Sequence, residues 1–443
     1  MGGLMKLRSI VSGVFCCFFL LCCLQPVVSA ENVDESELKR ILKEQALLIE
    51  SLSKRVKVLE EKKYSDVSAV PTSLKDIAPK STWTERMKIK GDFRYRHEII
   101  RAAGRRHNTT QAERDSRSTT RNRQRIRARV GLFVKINEDI DFAFQIASGS
   151  QDPISTNQTL GDFFESKSLR LDLAYLTWHP EYLMGINVKG LETRAGKMKI
   201  PFYRPYKSQM IWDDSLRPEG IHAGYKFKVG EIDLAVNGGG FWVDEDSNDV
   251  DRNLWGVQGY FKAPVINKDI KLVGGLTYYD YGSIRNHSIY NGDSFGNTSY
   301  FKPLNTTELY RYDYNILESF TELHFKIYKM PLCVFGDFAS NVAVSANKNA
   351  YQVGVAVGKC VKPGSWRFIY DWRRLDSDSI LGVFSEASCG GGGTDLKGSR
   401  FKVDYQLAKH TRFSSTLYIN KNGLEDGDGK QYRRVQFDLK VKF

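Results

Sequence analysis

The chain has 443 residues, 41% of them hydrophobic, 12% aromatic and 26% charged, with a formal charge of +13. A mean hydropathy of -0.40 leaves one place only for a long apolar run, and the basic balance suits nucleic acid, lipopolysaccharide phosphates or anionic solutes.

That run is at the N-terminus. Lys6 and Arg8 precede an apolar core from Ile10 to Leu24, and "VVSA" puts small residues at Val28 and Ala30. The pattern predicts an export signal over 1–30; an uncleaved anchor would need a longer apolar span. A lipoprotein site at Cys22 or Cys23 lacks the small residue expected before it. Export argues against a nucleic-acid partner. Cleavage would lower the charge of +13 by two and remove Cys16, Cys17, Cys22 and Cys23, leaving Cys333, Cys360 and Cys389 in an oxidising compartment.

From Glu35 to Lys62 a heptad places Leu42, Ile49 and Val56 at one seam position and Leu38, Gln45, Leu52 and Leu59 at the other. This predicts a coiled coil over 31–63, about 40 Å long. Ile41 and Leu48 widen the stripe and favour more than two helices; a single amphipathic helix on another surface is the alternative. Residues 64–82, "YSDVSAVPTSLKDIAPKST", read as a linker.

From Trp83 to Phe443 the period changes to two. "MKIKGDFRYR" sets Met87, Ile89, Gly91, Phe93 and Tyr95 against Lys88, Lys90, Asp92, Arg94 and Arg96. "RNRQRIRARVGLFVKI" puts Arg121, Arg123, Arg125, Arg127 and Arg129 at every second position, and "RVQFDLKVKF" closes the chain in the same way. A soluble sandwich would turn the charged row to water. Sixteen such segments are predicted between 87 and 443, and their links alternate short with long. Tight turns at one end and long loops at the other indicate an outer-membrane antiparallel β-barrel over 83–443, with eighteen strands as the alternative count. Trp83, Trp178, Trp242, Trp255, Trp366 and Trp372 fall near strand ends, where an aromatic girdle would lie, and Phe443 ends a strand that must close onto the first.

"RIRARVGLFVKI", "GKMKIPFYRPYKSQMIWDDSLRPEG" (196–220) and "SEASCGGGGTDLKG" (385–398), with the terminal phenylalanine, resemble the Gram-negative outer-membrane putative porin family with an N-terminal coiled coil. The resemblance implies passive diffusion of small hydrophilic solutes through a trimeric barrel in the outer membrane, with the coiled coil in the periplasm. Its expected partners are outer-membrane lipid, two further copies of the chain, hydrophilic or anionic solutes and, through the coiled coil, the cell wall. No cofactor is expected.

With the apolar rows toward lipid, Arg94, Arg96, Arg125, Arg127, Arg129 and Arg194 should form a basic pore wall, extended by Arg170, Arg434 and Lys440, while Arg121 and Arg123 should guard its mouth. By resemblance to general porins, loop 199–219 with Trp212, Asp213, Asp214 and Glu219 should fold into the lumen; the alternative is that the two aspartates cap a surface turn. The arginines either prefer anions or are neutralised by Asp92, Asp172, Asp438 and loop acids. Cys333 and Cys360 should lie near the periplasmic end of neighbouring strands, as a cross-strand disulfide or as two free thiols, with Cys389 in an outer loop. His97, His107, His179, His222, His287, His324 and His410 show no metal-ligand spacing, and "GGGGT" lacks the Lys-Ser/Thr of a phosphate loop. No catalytic grouping emerges. The rival class is an adhesin or scaffold barrel with a plugged lumen.

Overall fold

The computed structural model describes residues 83–103, 118–247, 250–265, 269–302, 307–425 and 429–443, and helical positions 43, 47, 50–55, 57 and 58 before them. The chain divides into two units, Met1–Lys80 and Ser81–Phe443. In the first, the described positions form a helix with an ion pair of 3.0 Å between Lys54 and Glu50, and Leu47, Leu52 and Val58 are exposed. A helix is thus present where a coiled coil is expected, but the described residues do not show a second helix against it. The expected export signal 1–30, the linker 64–82 and the rest of 31–63 lie outside the described residues.

The second unit is a closed antiparallel barrel of sixteen long strands. They are β1 Met87–Ala103, β2 Ser118–Lys135, β3 Ile140–Ser148, β4 Leu169–Trp178, β5 Leu191–Lys197 and β6 Glu219–Val229. There follow β7 Ile232–Asp244, β8 Arg252–Pro264, β9 Lys271–Gly282, β10 Tyr314–Ile327 and β11 Met330–Asn341. The last five are β12 Asn349–Gly358, β13 Trp366–Leu375, β14 Leu396–Ala408, β15 Thr411–Asn422 and β16 Lys430–Lys442. Each strand pairs with the next, and β1 pairs with β16 to close the ring. A seventeenth piece, Gln158–Thr159, adds to β2 beyond the end of β3. Closure continues past the last strand: Gly91 and Phe443 exchange backbone hydrogen bonds of 2.9 and 3.1 Å. A Cβ on Gly91 would run into the Phe443 ring, so this position needs a glycine.

Burial is inverted relative to a water-soluble sheet. Ile89, Val130, Val257, Leu276, Val353 and Leu439 are exposed on the outer face, whereas Glu98, Asp337, Asp371, Arg373, Asp404 and Asp438 are buried within. Alternation places the two sets on opposite sides of each strand. An apolar exterior around a polar interior is the solution that leaves no backbone edge unpaired in lipid. Trp178, Trp242, Trp255 and Trp366 are exposed on that exterior.

The connections depart from strict alternation at both ends: the outer links 245–251, 342–348 and 423–429 are as short as the turn 359–365. The link 179–190, at the end otherwise held by tight turns, carries a small hairpin of Tyr182–Leu183 with Ile186–Asn187. At the other end the long connections include loop 2 (149–168), loop 3 (198–218), loop 5 (283–313) and loop 7 (376–395).

Candidate functional site

One side of the lumen is a wall of cations on β1, β2 and β16. Register sets Asp92 opposite Arg129, Arg94 opposite Arg127, Arg96 opposite Arg125 and Glu98 opposite Arg123. Like charges face each other in two of these rungs, a destabilising arrangement unless acids intervene. Asp92 takes Arg127 and Arg129, each at 2.6 Å. Asp438 accepts two hydrogen bonds from Arg96, at 2.6 and 2.8 Å, and lies 4.0 Å from Arg94 and 3.5 Å from Lys440. Glu98 accepts from Arg123, from Arg434 at 2.5 Å and from Gln436 at 3.1 Å, with Arg125 at 3.8 Å. Eight cations, Arg94, Arg96, Arg123, Arg125, Arg127, Arg129, Arg434 and Lys440, thus share three carboxylates.

Loop 2 reaches this wall. Asn157 Oδ1 accepts from Arg94, and Arg125 donates to Ser155 Oγ at 3.3 Å and the Asn157 carbonyl at 3.5 Å. Loop 3 adds further positive charge. Lys90 and Lys199 stand 5.4 and 5.8 Å from the centre of the Phe133 ring, a cation-π arrangement shared by two ammonium groups. Burial and the nearby Arg217 and Arg129 hold the Lys199 ammonium below its ordinary range.

Loop 3 crosses the lumen and is bonded to the opposite side. The Tyr203 and Tyr206 backbone N–H groups donate to Gln258 Oε1 at 2.7 Å and Glu322 Oε1 at 2.6 Å, and the Tyr203 hydroxyl donates to the same Glu322 oxygen at 2.6 Å. Tyr206 stacks on Phe335 with ring centroids 5.1 Å apart. Trp212 is buried and donates from Nε1 to the Tyr281 hydroxyl at 2.9 Å. It packs with Phe202, Phe241 and Tyr279, so its role is to seat the loop rather than to line the passage.

Loop 7 is a second insertion into the barrel. Ile380, Leu381, Val383 and Cys389 join the same apolar cluster as Trp212. Gly390, Gly391, Gly392 and Gly393 all have positive φ, from 62° to 101°, and a Cβ on Gly393 would run into the Phe295 carbonyl of loop 5. The glycine run therefore lets the chain curl inward beneath loop 5. Glu386 forms ion pairs with Arg373 at 2.8 Å and Arg400 at 3.6 Å and accepts from the Tyr418 hydroxyl at 2.7 Å.

The two loops meet at Asp213. Its backbone N–H donates to the Phe384 carbonyl at 2.7 Å, and its carboxylate accepts from Ser215 N at 2.7 Å and Ala387 N at 3.3 Å. Burial, reinforced by Glu386 and Asp214, raises the Asp213 carboxyl to about 7. A carboxyl whose value is raised by folding favours the folded contact below its ordinary value of 3.8 and loses that contribution as pH climbs through about 7. Conductance should therefore change as the loop contact loosens between about pH 5 and about pH 8, and Asp213→Asn should flatten the profile. An unchanged profile in D213N would reject this role.

Several expected positions need correction. Arg123 does not guard the mouth; Glu98 draws it into the wall, whereas Arg121 is exposed at the outer end of β2. Arg194 faces inward but pairs with Glu192 on its own strand at 2.7 Å, away from β1 and β2. Asp213 neither caps a surface turn nor opposes the arginines, because it is buried against loop 7. Asp214 pairs with Arg204 at 2.7 Å, and Glu219 opens β6 beside Lys197, so these acids do not form a free negative face. Asp172 takes Arg217 at 3.1 Å rather than a wall arginine. The disulfide is absent: Cys333 lies opposite Ala356, Cys360 lies beyond the end of β12 near Gln406, and both thiols are free. Cys389 is buried inside the barrel and is also free.

Between loops 2 and 3 lies an open cavity of about 660 Å³, with Asp152, Arg170, Asp172, Lys197, Arg217 and Glu219 among its lining residues. A closed barrel with an apolar exterior, a charged lumen and inserted loops defines the porin class of architecture. The sequence matches the family model described as "Putative porin" over residues 73–303 and 286–443, and the chain belongs to that family. Its fold is similar to that of Pseudomonas putida OprB, at 10% identity and a TM-score of 0.52, covering 81% of this chain and 95% of that one. The outer membrane channel DcaP of Acinetobacter baumannii is also similar, at 13% identity and a TM-score of 0.46, covering 81% of this chain and 97% of that one. No curated protein matches the sequence.

Proposed function

We propose that this protein is an outer-membrane porin through which small hydrophilic solutes diffuse passively, with a preference for anions. Family membership supports the channel. The anion preference rests on one observation, the eight wall cations that share Asp92, Glu98 and Asp438. Lys90 and Lys199 extend that excess toward loop 3, where no carboxylate among the described residues pairs with either. A pore wall of prevailing positive charge beside low-dielectric surfaces concentrates anions along it. The same proposal includes an export signal over 1–30, a trimeric state and a periplasmic coiled coil over 31–63 that reaches toward the cell wall.

Planar-bilayer recording across a salt gradient tests the reading. Stepwise conductance with a reversal potential of anion-selective sign is expected, and a cation-selective sign would reject the preference. A second reading is favoured by the apolar packing of loops 3 and 7 in the lumen, which suits a plugged adhesin or scaffold barrel. Correctly folded protein without conductance would establish that reading instead.

A further inference from the structure

Apart from the arginine wall, the lumen carries a mixed set of metal-ligand donors on one hairpin. Glu322 and His324 lie two residues apart on β10, and Cys333 on β11 is the cross-strand partner of His324. His324 Nε2 is 2.5 Å from Glu322 Oε2, and Cys333 Sγ is 3.8 Å from His324 Nε2 and 4.0 Å from Glu322 Oε2. The three donor atoms all lie within 4.8 Å of one another.

Tetrahedral zinc, with bonds of about 2.3 Å to sulfur and about 2.0 Å to nitrogen or oxygen, sets its donors roughly 3.3 to 3.6 Å apart. The sulfur needs to move by only a few tenths of an ångström, and the His324–Glu322 hydrogen bond opens to admit the ion. Glu322 is already oriented for this: its Oε1 accepts from Tyr203 and Tyr206, which leaves Oε2 directed at the cluster. Outer partners that fix a ligand in this way strengthen a metal site. Cys333 is buried beside Phe335, Ala356 and Ile369, while the His324 side chain is 41% exposed and gives an ion and a water ligand access from the lumen.

We propose that Glu322, His324 and Cys333 bind one borderline-soft divalent cation, zinc in the first place, at the foot of loop 3. The sulfur binds as thiolate and its proton passes to solvent, so binding weakens as pH falls. The carboxylate and the imidazole Nε2 supply the other protein ligands, and water completes the tetrahedron.

Calorimetric titration of the folded full chain in detergent with zinc chloride should give one ion per chain. Cys333→Ser should weaken that binding at least about tenfold, whereas Cys360→Ser should leave it unchanged. Cobalt should give a thiolate charge-transfer absorption that C333S lacks. His324→Gln, at a position exposed enough to spare the packing, gives an independent comparison if C333S does not fold. No zinc binding by the wild type, or equal affinity in wild type and H324Q, would overturn the site. These readouts do not depend on conductance, so they fail or succeed separately from the porin reading.

Discussion

Replacing Glu98 with glutamine should lower the stability of the barrel and shift its reversal potential further toward anions. Glu98 has no solvent exposure and is shared by Arg123, Arg434, Gln436 and, at 3.8 Å, Arg125. Glutamine keeps the shape but removes the charge, leaving three guanidinium groups around a neutral amide. Breaking a buried ion pair by removing one partner typically costs about 3 to 5 kcal/mol, because the remaining charge stays desolvated. The urea midpoint should fall with little change in slope, since the surface exposed on unfolding is the same. The selectivity change should shrink at high salt, as screening requires. Lys189→Ala, which breaks an exposed pair with Glu181, provides the contrast and should cost less than about 1 kcal/mol. Wild-type stability and wild-type reversal potential in E98Q would show that the wall arginines do not depend on this carboxylate.

Much of the barrel is legible in the sequence because the side-chain period of a strand is two and one face must meet lipid. That rule alone sends Arg94, Arg96, Arg125, Arg127 and Arg129 to one face and Phe93, Tyr95 and Val130 to the other; Arg94 and Arg96 are buried, whereas Phe93, Tyr95 and Val130 are exposed. Glu98 was legible by the same rule, since it shares the parity of Arg94 and Arg96, yet attention to the arginines alone overlooks it. Register is harder to read. Parity puts Cys333 and Cys360 on the inner face, but only the hairpin register shows that Cys333 meets Ala356 and that Cys360 lies beyond the last paired residue of β12. The same register reveals the His324–Cys333 pairing, because both residues flank the tight turn at Tyr328 and Lys329. A search for histidines at fixed sequence spacing passes over such a pair.

Loops follow no such period, and loop 7 is where the reading from sequence fails. A long outer connection suggests exposure, yet Cys389 within it is buried. The contrary signal is the apolar run Ile380, Leu381, Val383 and Phe384, which has no lipid face and needs a core. It finds that core against Trp212, Tyr281 and the rest of the loop 3 cluster. Loop 3 packs against Gln258 and Glu322 of the strands it meets, and its acids serve the loops themselves: Asp213 holds loop 7 and Asp214 holds Arg204. Among the described residues, the acids of loop 3 therefore leave the arginine wall to Asp92, Glu98 and Asp438.

Glu386→Gln should release loop 7 and enlarge the passage. Glu386 is the point at which the loop is tied both to the barrel and to loop 3: Arg373 on β13, Arg400 on β14 and Tyr418 on β15 converge on its carboxylate, and its backbone N–H donates to the Gln209 carbonyl at 3.2 Å. Burial would raise this carboxyl, but Arg373 and then Arg400 outweigh it and bring it down to about 2. A depressed carboxyl stabilises the docked loop above its ordinary value of 4.5 and loses that contribution only as pH falls through about 2, so the tether persists at neutral pH. Removing the charge leaves Arg373 and Arg400 sharing Asp371 alone, at 3.3 and 2.6 Å, so the cost should lie near the low end, about 3 kcal/mol, of what a broken buried pair typically costs. If that cost falls on docking rather than on the barrel, the undocked fraction rises by roughly two powers of ten. Cys389 reports the change directly, because it is 2% exposed in the docked loop and burial pushes its thiol up to about 12. In a Cys333→Ser, Cys360→Ser background, E386Q should admit a maleimide at Cys389 that the unaltered loop excludes, and its single-channel conductance should be larger. A variant that labels and conducts as the parent does would mean that the apolar contacts of Ile380, Leu381 and Val383 hold the loop without the ion pairs.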